Sequence, residues 1–278
     1  MARRIGSTAA SSPALAEWQA KRAQACRLTP DHALQTLEDA DRFLAERGML
    51  TLTPSCALPS LFAACHEEPY QPGGHGFASW PRTKWWWGGA LAGRPGVHAL
   101  RIHQGKRLFL SNVTAVVVDP LCRAELEKAD EGGYGRAEQE LVSYLAAAGV
   151  SRLEEVKAEL GLDWGVLGAI RTRLERVGAI VSRSMTVAAA NGGERETSEL
   201  ARWDQRFPDT PKTPGGLREL IVAGVRAAVI APTKELSRWF SWRLPAGLVD
   251  ELIETGQLER QQSSWVSAAV LRAPDAER

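Results

Sequence analysis

Apolar residues recur at helical spacing through much of the chain, and short β-prone runs separated by turn formers lie between those stretches. The clearest helical stretch is Arg136 to Ala148 (RAEQELVSYLAAA), where Leu141, Tyr144, Leu145 and Ala148 share one face. A break at Gly149 follows. SRLE, Ser151 to Glu154, is a capping-box signature and predicts a second helix to about Leu160. Gly161 and Leu162 make a tight turn, Asp163 can cap a third helix, and Gly178 ends it. IVSRSMTV, Ile180 to Val187, reads as a strand. Three helices and then a hairpin is the order of a winged helix-turn-helix.

One short pattern appears three times. LAERGML (Leu44 to Leu50), LERVGAI (Leu174 to Ile180) and LIETGQL (Leu252 to Leu258) each place a leucine four residues before a glycine and an aliphatic two residues after it. A helix closing on a left-handed glycine and passing into a strand has this form, so the pattern predicts a repeated module. The third copy runs through a helix near Gly216 to Val229, then PTKELSRWF, PAGLVDELIET and a candidate hairpin in QLERQQSSWVSAAV. The first copy is partial, with TPDHALQTL and DADRFLAER as helices and MLTLT as a strand. The expected fold is mainly α with small β-hairpins (α+β), built as three tandem winged helix-turn-helix modules. Residues 1–28 are a flexible basic tail and lead-in, with the tail ending near residue 14. Residues 29–134 form a first module with a basic Trp-rich insertion, and 135–190 the central module. Residues 191–214, rich in turn formers, are a linker, and 215–278 the third module.

Composition adds one local signal. The 278 residues carry a net charge of only +1, so no global field selects a partner. From Pro69 to Val118, however, there is no Asp or Glu, and Arg82, Lys84, Arg94, Arg101, Lys106 and Arg107 all fall in that run. Such segregation accompanies anionic partners. Cys26, Cys56, Cys65 and Cys122 form no CxxC and read as small buried reduced thiols of a cytoplasmic protein; a zinc set of Cys56, Cys65, His66 and His75 matches no common spacing. No metal or cofactor is expected. No stretch is apolar enough to span a membrane, and the first residues lack the apolar core of a signal peptide. Phosphate-binding loops of the GxxxxGK[ST] kind, HExxH and GxSxG are missing.

The candidate chemistry is cationic and aromatic. Trp85, Trp86 and Trp87 follow Arg82 and Lys84; on a strand, Trp85 and Trp87 would share one side and Trp86 the other. One face would then build core while the other offers a plate for an unpaired base; packing of all three indoles is the competing reading. VHALRIHQGKRLFLS predicts a hairpin turning at Gln104-Gly105-Lys106, with Arg101 on its first strand and Lys106 and Arg107 presented to a phosphate backbone. Arg171, Arg173 and Arg176 on the predicted third helix, and Arg183 on the strand after it, are candidates for phosphate or base-edge contact, against a solvated helix face that Glu175 favours. Trp239-Phe240-Ser241-Trp242 reads as core, and Glu67-Glu68 beside His66 as a charged loop tip.

Taken with the three helix–glycine–strand copies, the hairpin HQGKRLFLS and the closing segment LVDELIETGQLERQQSSWVSA make the chain resemble bacterial winged-helix DNA glycosylases of the AlkZ type, from about Thr29 to Val270. That resemblance implies modules arranged around duplex DNA and removal of alkylated or crosslinked bases. The family uses a Gln-x-Gln or Gln-x-Asp motif near the first module to orient the attacking water. Neither triplet occurs here; TPSCALPSLFAAC stands where it is expected, and Gln257-Leu258-Glu259 is the nearest form, in the wrong module. No catalytic residue is assigned, and whether the protein is an enzyme stays open. The expected partner is double-stranded DNA, intact or damaged, with a cytoplasmic, nucleoid-associated location and, for a repair protein, a monomeric state. A non-enzymatic winged-helix transcription regulator, which would be a dimer, and a lesion binder without catalysis are the alternatives.

Overall fold

The computed structural model describes residues 13–188, 193–208, 215–261 and 270–273. The fold is α+β, with helices and small antiparallel sheets. No helix among the described residues is long and apolar enough to cross a membrane. The chain divides into two compact units, each assembled from separate segments. The first comprises Met1–Arg94, Ile221–Ser237 and Leu244–Arg278, and the second Pro95–Leu220 and Arg238–Arg243.

Along the chain one order of elements recurs: helix, short strand, two helices, hairpin. It runs first through Leu37–Arg47, Met49–Thr51, Leu61–Ala64, Trp87–Ala92 and the strands Val97–His103 and Lys106–Ser111. The second run is Arg136–Ala148, Ser151–Arg152, Leu153–Glu159, Trp164–Arg176 and the strands Ile180–Ala188 and Glu194–Arg202. The last is Leu217–Ala228, Ala231–Pro232, the 3-10 helix Thr233–Arg238, Leu248–Glu254 and the strands Glu259–Gln261 and Val270–Arg272. Gly48, Gly178 and Gly256 all take positive φ, as the helix–glycine–strand pattern requires. Their places in the order differ, however. Gly178 and Gly256 end the last helix before a hairpin, whereas Gly48 ends the helix that opens its run.

In the first unit, Leu37–Arg47 begins with a capping box: the Asp39 amide donates to Thr36 Oγ1 (3.1 Å) and the Thr36 amide to Asp39 Oδ2 (2.9 Å). Those bonds, led by the one from the Thr36 backbone, help bring the Asp39 carboxyl down to about 2, against the opposing pull of desolvation. Phe43 and Leu44 on this helix are fully buried, with Leu50 and Leu61 nearby in sequence. Arg47 ties the helix to the end of Leu217–Ala228 through the Ala227 carbonyl (3.1 Å). A helix, Pro13–Ala25, occupies part of the segment expected to be tail and lead-in. Its Trp18 packs against buried Leu15 and Ile230 and lies under Arg272, 4.6 Å from the ring. TPDHALQTL gives only the turn Pro30–His32 before the capped helix, because Thr36 and Asp39 start that helix at Leu37. The sheet of this unit pairs Ala231–Pro232 and Glu259–Gln261 with Val270–Arg272; the rest of the hairpin expected there, residues 262–269, lies outside the described residues, as do residues 1–12 of the tail.

The second unit holds the clearest of the predicted helices. Arg136–Ala148 and Trp164–Arg176 form where the spacing places them, and bury Leu141, Leu145, Leu167, Ile170 and Leu174. The capping box falls one residue later than SRLE suggests: Glu155 accepts from the Arg152 amide (2.8 Å), Ser151 belongs to a short strand, and Glu154 instead accepts from Thr197 (2.9 Å). Within the stretch expected as a linker, 191–214, residues 194–206 carry regular structure. Glu194–Arg202 is a full strand paired antiparallel with Ile180–Ala188, and Trp203–Arg206 is helical, while the turn formers Asn191-Gly192 and residues 209–214 lie outside the described residues. The hairpin base is pinned by two buried groups. Trp203 Nε1 donates to Asp119 (2.7 Å), and Arg123 donates to both oxygens of the same carboxylate (3.0 and 2.9 Å). Gly178 meets its neighbour without spare room, since a Cβ there would lie 2.3 Å from Cys122 Sγ. Trp239 and Phe240 are buried, as a core reading requires.

Candidate nucleic-acid interface

The predicted hairpin in the second unit is Val97–His103 paired with Lys106–Ser111, joined by Gln104-Gly105. Both turn residues have positive φ, 51° and 81°, the conformation of a two-residue turn that matches strand twist. Glutamine is an unfavourable residue there, and its amide is fixed on both sides. Gln104 Nε2 donates to the Phe240 carbonyl, and Oε1 accepts from Arg176. His103, buried at the end of the first strand, bonds through Nδ1 to the Trp239 carbonyl. Burial, and more weakly Lys106, push the imidazole pKa down despite that bond.

This anchored turn presents Lys106 to solvent, with no ion pair among the described residues. Arg107 is half-buried and likewise has no carboxylate partner among them. Burial, then the neighbouring Arg101, lower its pKa. A cation kept partly dry beside a second cation is an arrangement that an incoming anion relieves.

The arginines of Trp164–Arg176 have a different fate. Glu175 is buried and holds two of the candidate cations: Arg171 Nε at 2.7 Å and Arg101 Nε at 3.1 Å. It is therefore an internal clamp between helix and hairpin and not part of a solvated face. Arg173 pairs with Glu138, also buried, at 2.6 Å. Arg176 bonds to the Gln104 amide. Arg183 is exposed on its strand, with no ion pair among the described residues. The exposed positions of this helix include the uncharged Trp164, Val166, Gly168 and Ala169 as well as Arg173 and Arg176.

The Trp-rich run belongs to the first unit. Trp86 precedes and Trp87 opens the short helix Trp87–Ala92, so the alternation expected of a strand does not apply. The indoles are nonetheless divided: Trp87 is buried, while Trp85 and Trp86 are exposed. Lys84 is turned inward, with its ammonium 5.3 Å from the Trp87 ring and 3.9 Å from Glu67. Arg82 is exposed. Glu67 is a structural anchor and not a loop tip. It accepts from the Thr83 amide (2.7 Å), the Lys84 amide (2.9 Å) and the Thr83 hydroxyl. Desolvation opposes ionisation of Glu67, but those bonds and the Lys84 charge outweigh it and hold the carboxyl below its ordinary range.

Reading the sequence for tryptophans misses two further rings. Tyr70 and Phe77 are exposed and stacked, with centroids 5.0 Å apart and planes at 25°. The signal was present as aromatic residues at 70, 77, 80, 85 and 86 within the acid-free run. Among the described residues no three His, Cys, Asp or Glu side chains gather as a metal site; His66 Nε2 lies 2.7 Å from the Arg27 carbonyl. Compared with models of protein families, with curated proteins and with solved structures, the chain matches none.

Proposed function

We propose that this protein binds duplex DNA through tandem winged helix-turn-helix modules, three in number, in the manner of the DNA-repair glycosylases of the AlkZ type. The threefold order of helix, strand, two helices and hairpin supports the architecture. In the second unit the central run also has the sheet order expected of a winged helix, with Ser151–Arg152 and Ile180–Ala188 both paired to Glu194–Arg202. The observation that carries the functional reading is the hairpin tip: Lys106 and Arg107 stand without a carboxylate among the described residues, on a turn fixed by Gln104. Cations that the fold does not neutralise are free to replace the counterions of a phosphate backbone.

This reading moves the expected DNA contact away from Arg171 and Arg173, whose charges are met by Glu175 and Glu138. The Gln-x-Gln and Gln-x-Asp triplets do not occur in the sequence, so the proposal is for binding, with excision as a separate question. The test is a salt titration of the full chain against a labelled duplex. Replacing Lys106 and Arg107 together with alanine lowers affinity for every sequence and reduces the slope of log affinity against log salt by about 1.8, at ~0.9 per phosphate contact. An unchanged slope would remove the proposal. Alkaline cleavage after incubation with a methylated or crosslinked duplex then separates an enzyme from a lesion binder. A dimer with one preferred operator would favour the regulator.

A further inference from the structure

The segment between Glu67 and Trp87 is a second, irregular hairpin that the repeated order does not require. Pro69 bridges Pro81 antiparallel, the Tyr70 amide donates to the Trp80 carbonyl (3.0 Å), and the Gln71 amide to the Ala78 carbonyl (2.9 Å). Its tip is compact: a Cβ on Gly74 would meet Ala78 Cβ at 2.7 Å. The 3-10 turn Gly76–Ser79 brings Phe77 back over Tyr70. Phe77 is the hub of a ring cluster. Trp80 lies 4.9 Å from it and Trp85 5.7 Å, and Trp80 in turn touches buried Phe62 at 5.4 Å, which roots the cluster in the core of the first unit.

These rings are left in water. Tyr70 is 38% exposed, Phe77 50%, Trp85 41% and Trp86 49%. Tyr70, Phe77 and Trp85 on one short segment, joined ring to ring and fixed by backbone bonds and by the Glu67 anchor, form a pre-shaped apolar surface of the kind that marks a binding site. Charge decides between occupants. No acid follows Glu68 until Asp119, Arg82 is exposed two residues after Trp80 with its amide bonded to the Glu68 carbonyl at the hairpin base, and the Glu67 carboxylate is consumed by Thr83 and Lys84; the exposed Glu68 is the one opposing charge in this stretch. A partner that combines flat π faces with negative charge fits this surface better than an apolar peptide or a lipid.

We propose that the Tyr70–Phe77 stack, flanked by Trp85 and Arg82, is a stacking site for an unpaired nucleobase of DNA, the base extending the stack and its phosphate meeting Arg82. This rests on the DNA-binding reading and adds the recognition of unpaired over paired bases. Stacking suits any base, so the site selects for lack of pairing and not for sequence.

The probe is a labelled duplex carrying 2-aminopurine in a single-nucleotide bulge, compared with the same duplex fully paired, using the full chain. Wild-type protein is expected to bind the bulged duplex more tightly and to quench the 2-aminopurine. Phe77→Leu keeps apolar bulk without the π face, and Tyr70→Ala removes its partner ring. Each is expected to weaken binding of the bulged duplex by about tenfold, with loss of quenching, a typical cost for one base–aromatic stack. Affinity for the paired duplex and the melting temperature should stay at wild-type values. Equal affinity of the wild type for both duplexes, or an unchanged preference in both variants, would overturn the inference while leaving DNA binding intact. Replacing Lys106 and Arg107 weakens both duplexes alike, so failure of the DNA-binding reading shows separately, as no salt-dependent binding of either. If the ring variants lose binding to vesicles of anionic lipid and not to DNA, the surface serves a membrane and the inference fails.

Discussion

The hairpin-tip cations Lys106 and Arg107 and the helix arginines Arg171 and Arg173 look alike in sequence, yet the fold treats their charges in opposite ways; Arg176, on the same helix, meets only the Gln104 amide. On the helix, Arg171 and Arg173 reach carboxylates that are themselves buried, Glu175 and Glu138. At the hairpin tip, Lys106 and Arg107 reach none among the described residues, and Arg107 is crowded by Arg101 instead. A buried carboxylate must be paired, so an arginine beside one is committed to the fold. A cation with no such neighbour keeps its charge for a partner. Counting basic residues cannot separate the two cases; locating the carboxylates can.

The largest effect that would break this contrast concerns Glu175. Replacing it with alanine removes the buried charge that holds Arg171 and the exposed Arg101, and should cost about 1–3 kcal/mol in urea unfolding, the range for losing charge-assisted hydrogen bonds. Little loss of stability would mean that the helix arginines are not committed. Arg173→Ala should cost about 1–2 kcal/mol, mainly by leaving the buried Glu138 without its charge partner, and should leave DNA affinity unchanged. A drop in affinity comparable to that of the Lys106 and Arg107 replacement would return the helix to the interface. Arg183→Ala, at an exposed position outside any ion pair among the described residues, should change stability by less than about 0.5 kcal/mol. Any loss of DNA affinity it causes would extend the contact onto the second hairpin.

A further effect is on pH. Burial favours neutral His103, so its folded pKa lies below the unfolded value of about 6.5. The stability it contributes is complete above that value and declines as pH falls toward and through the folded pKa. His103→Gln should therefore flatten the stability profile between about pH 7 and pH 5, by about 1 kcal/mol or less. A steeper acid loss in the variant would show that the imidazole is charged in the folded protein.

Much of the second unit could be read from the sequence. Arg136–Ala148 and Trp164–Arg176 follow from local spacing and from glycines that only a helix end explains. The strand Glu194–Arg202 was hidden because its polar, charged residues carry little alternation; it is specified by pairing with Ile180–Ala188. For the candidate interface, composition exposed the cationic run but not its division. The partners that neutralise Arg101 and Arg173 lie 74 and 35 positions away, and such pairing is written in the tertiary fold alone. The Tyr70–Phe77 stack escaped for a related reason. Its rings are brought together by a turn whose hydrogen bonds run between backbone groups, so no side-chain pattern announces it.

The tight fit of Gly178 against Cys122 makes that sulfur a clock. A thiol reagent has no path to it while the second unit is closed. Cys26 and Cys65 are similarly sealed within the first unit, and Cys56 is only half-covered. Each unit thus carries its own internal timer. Mass-resolved labelling at increasing denaturant would read the opening of the two units as separate rates in an unmodified chain, without any fluorophore or tag.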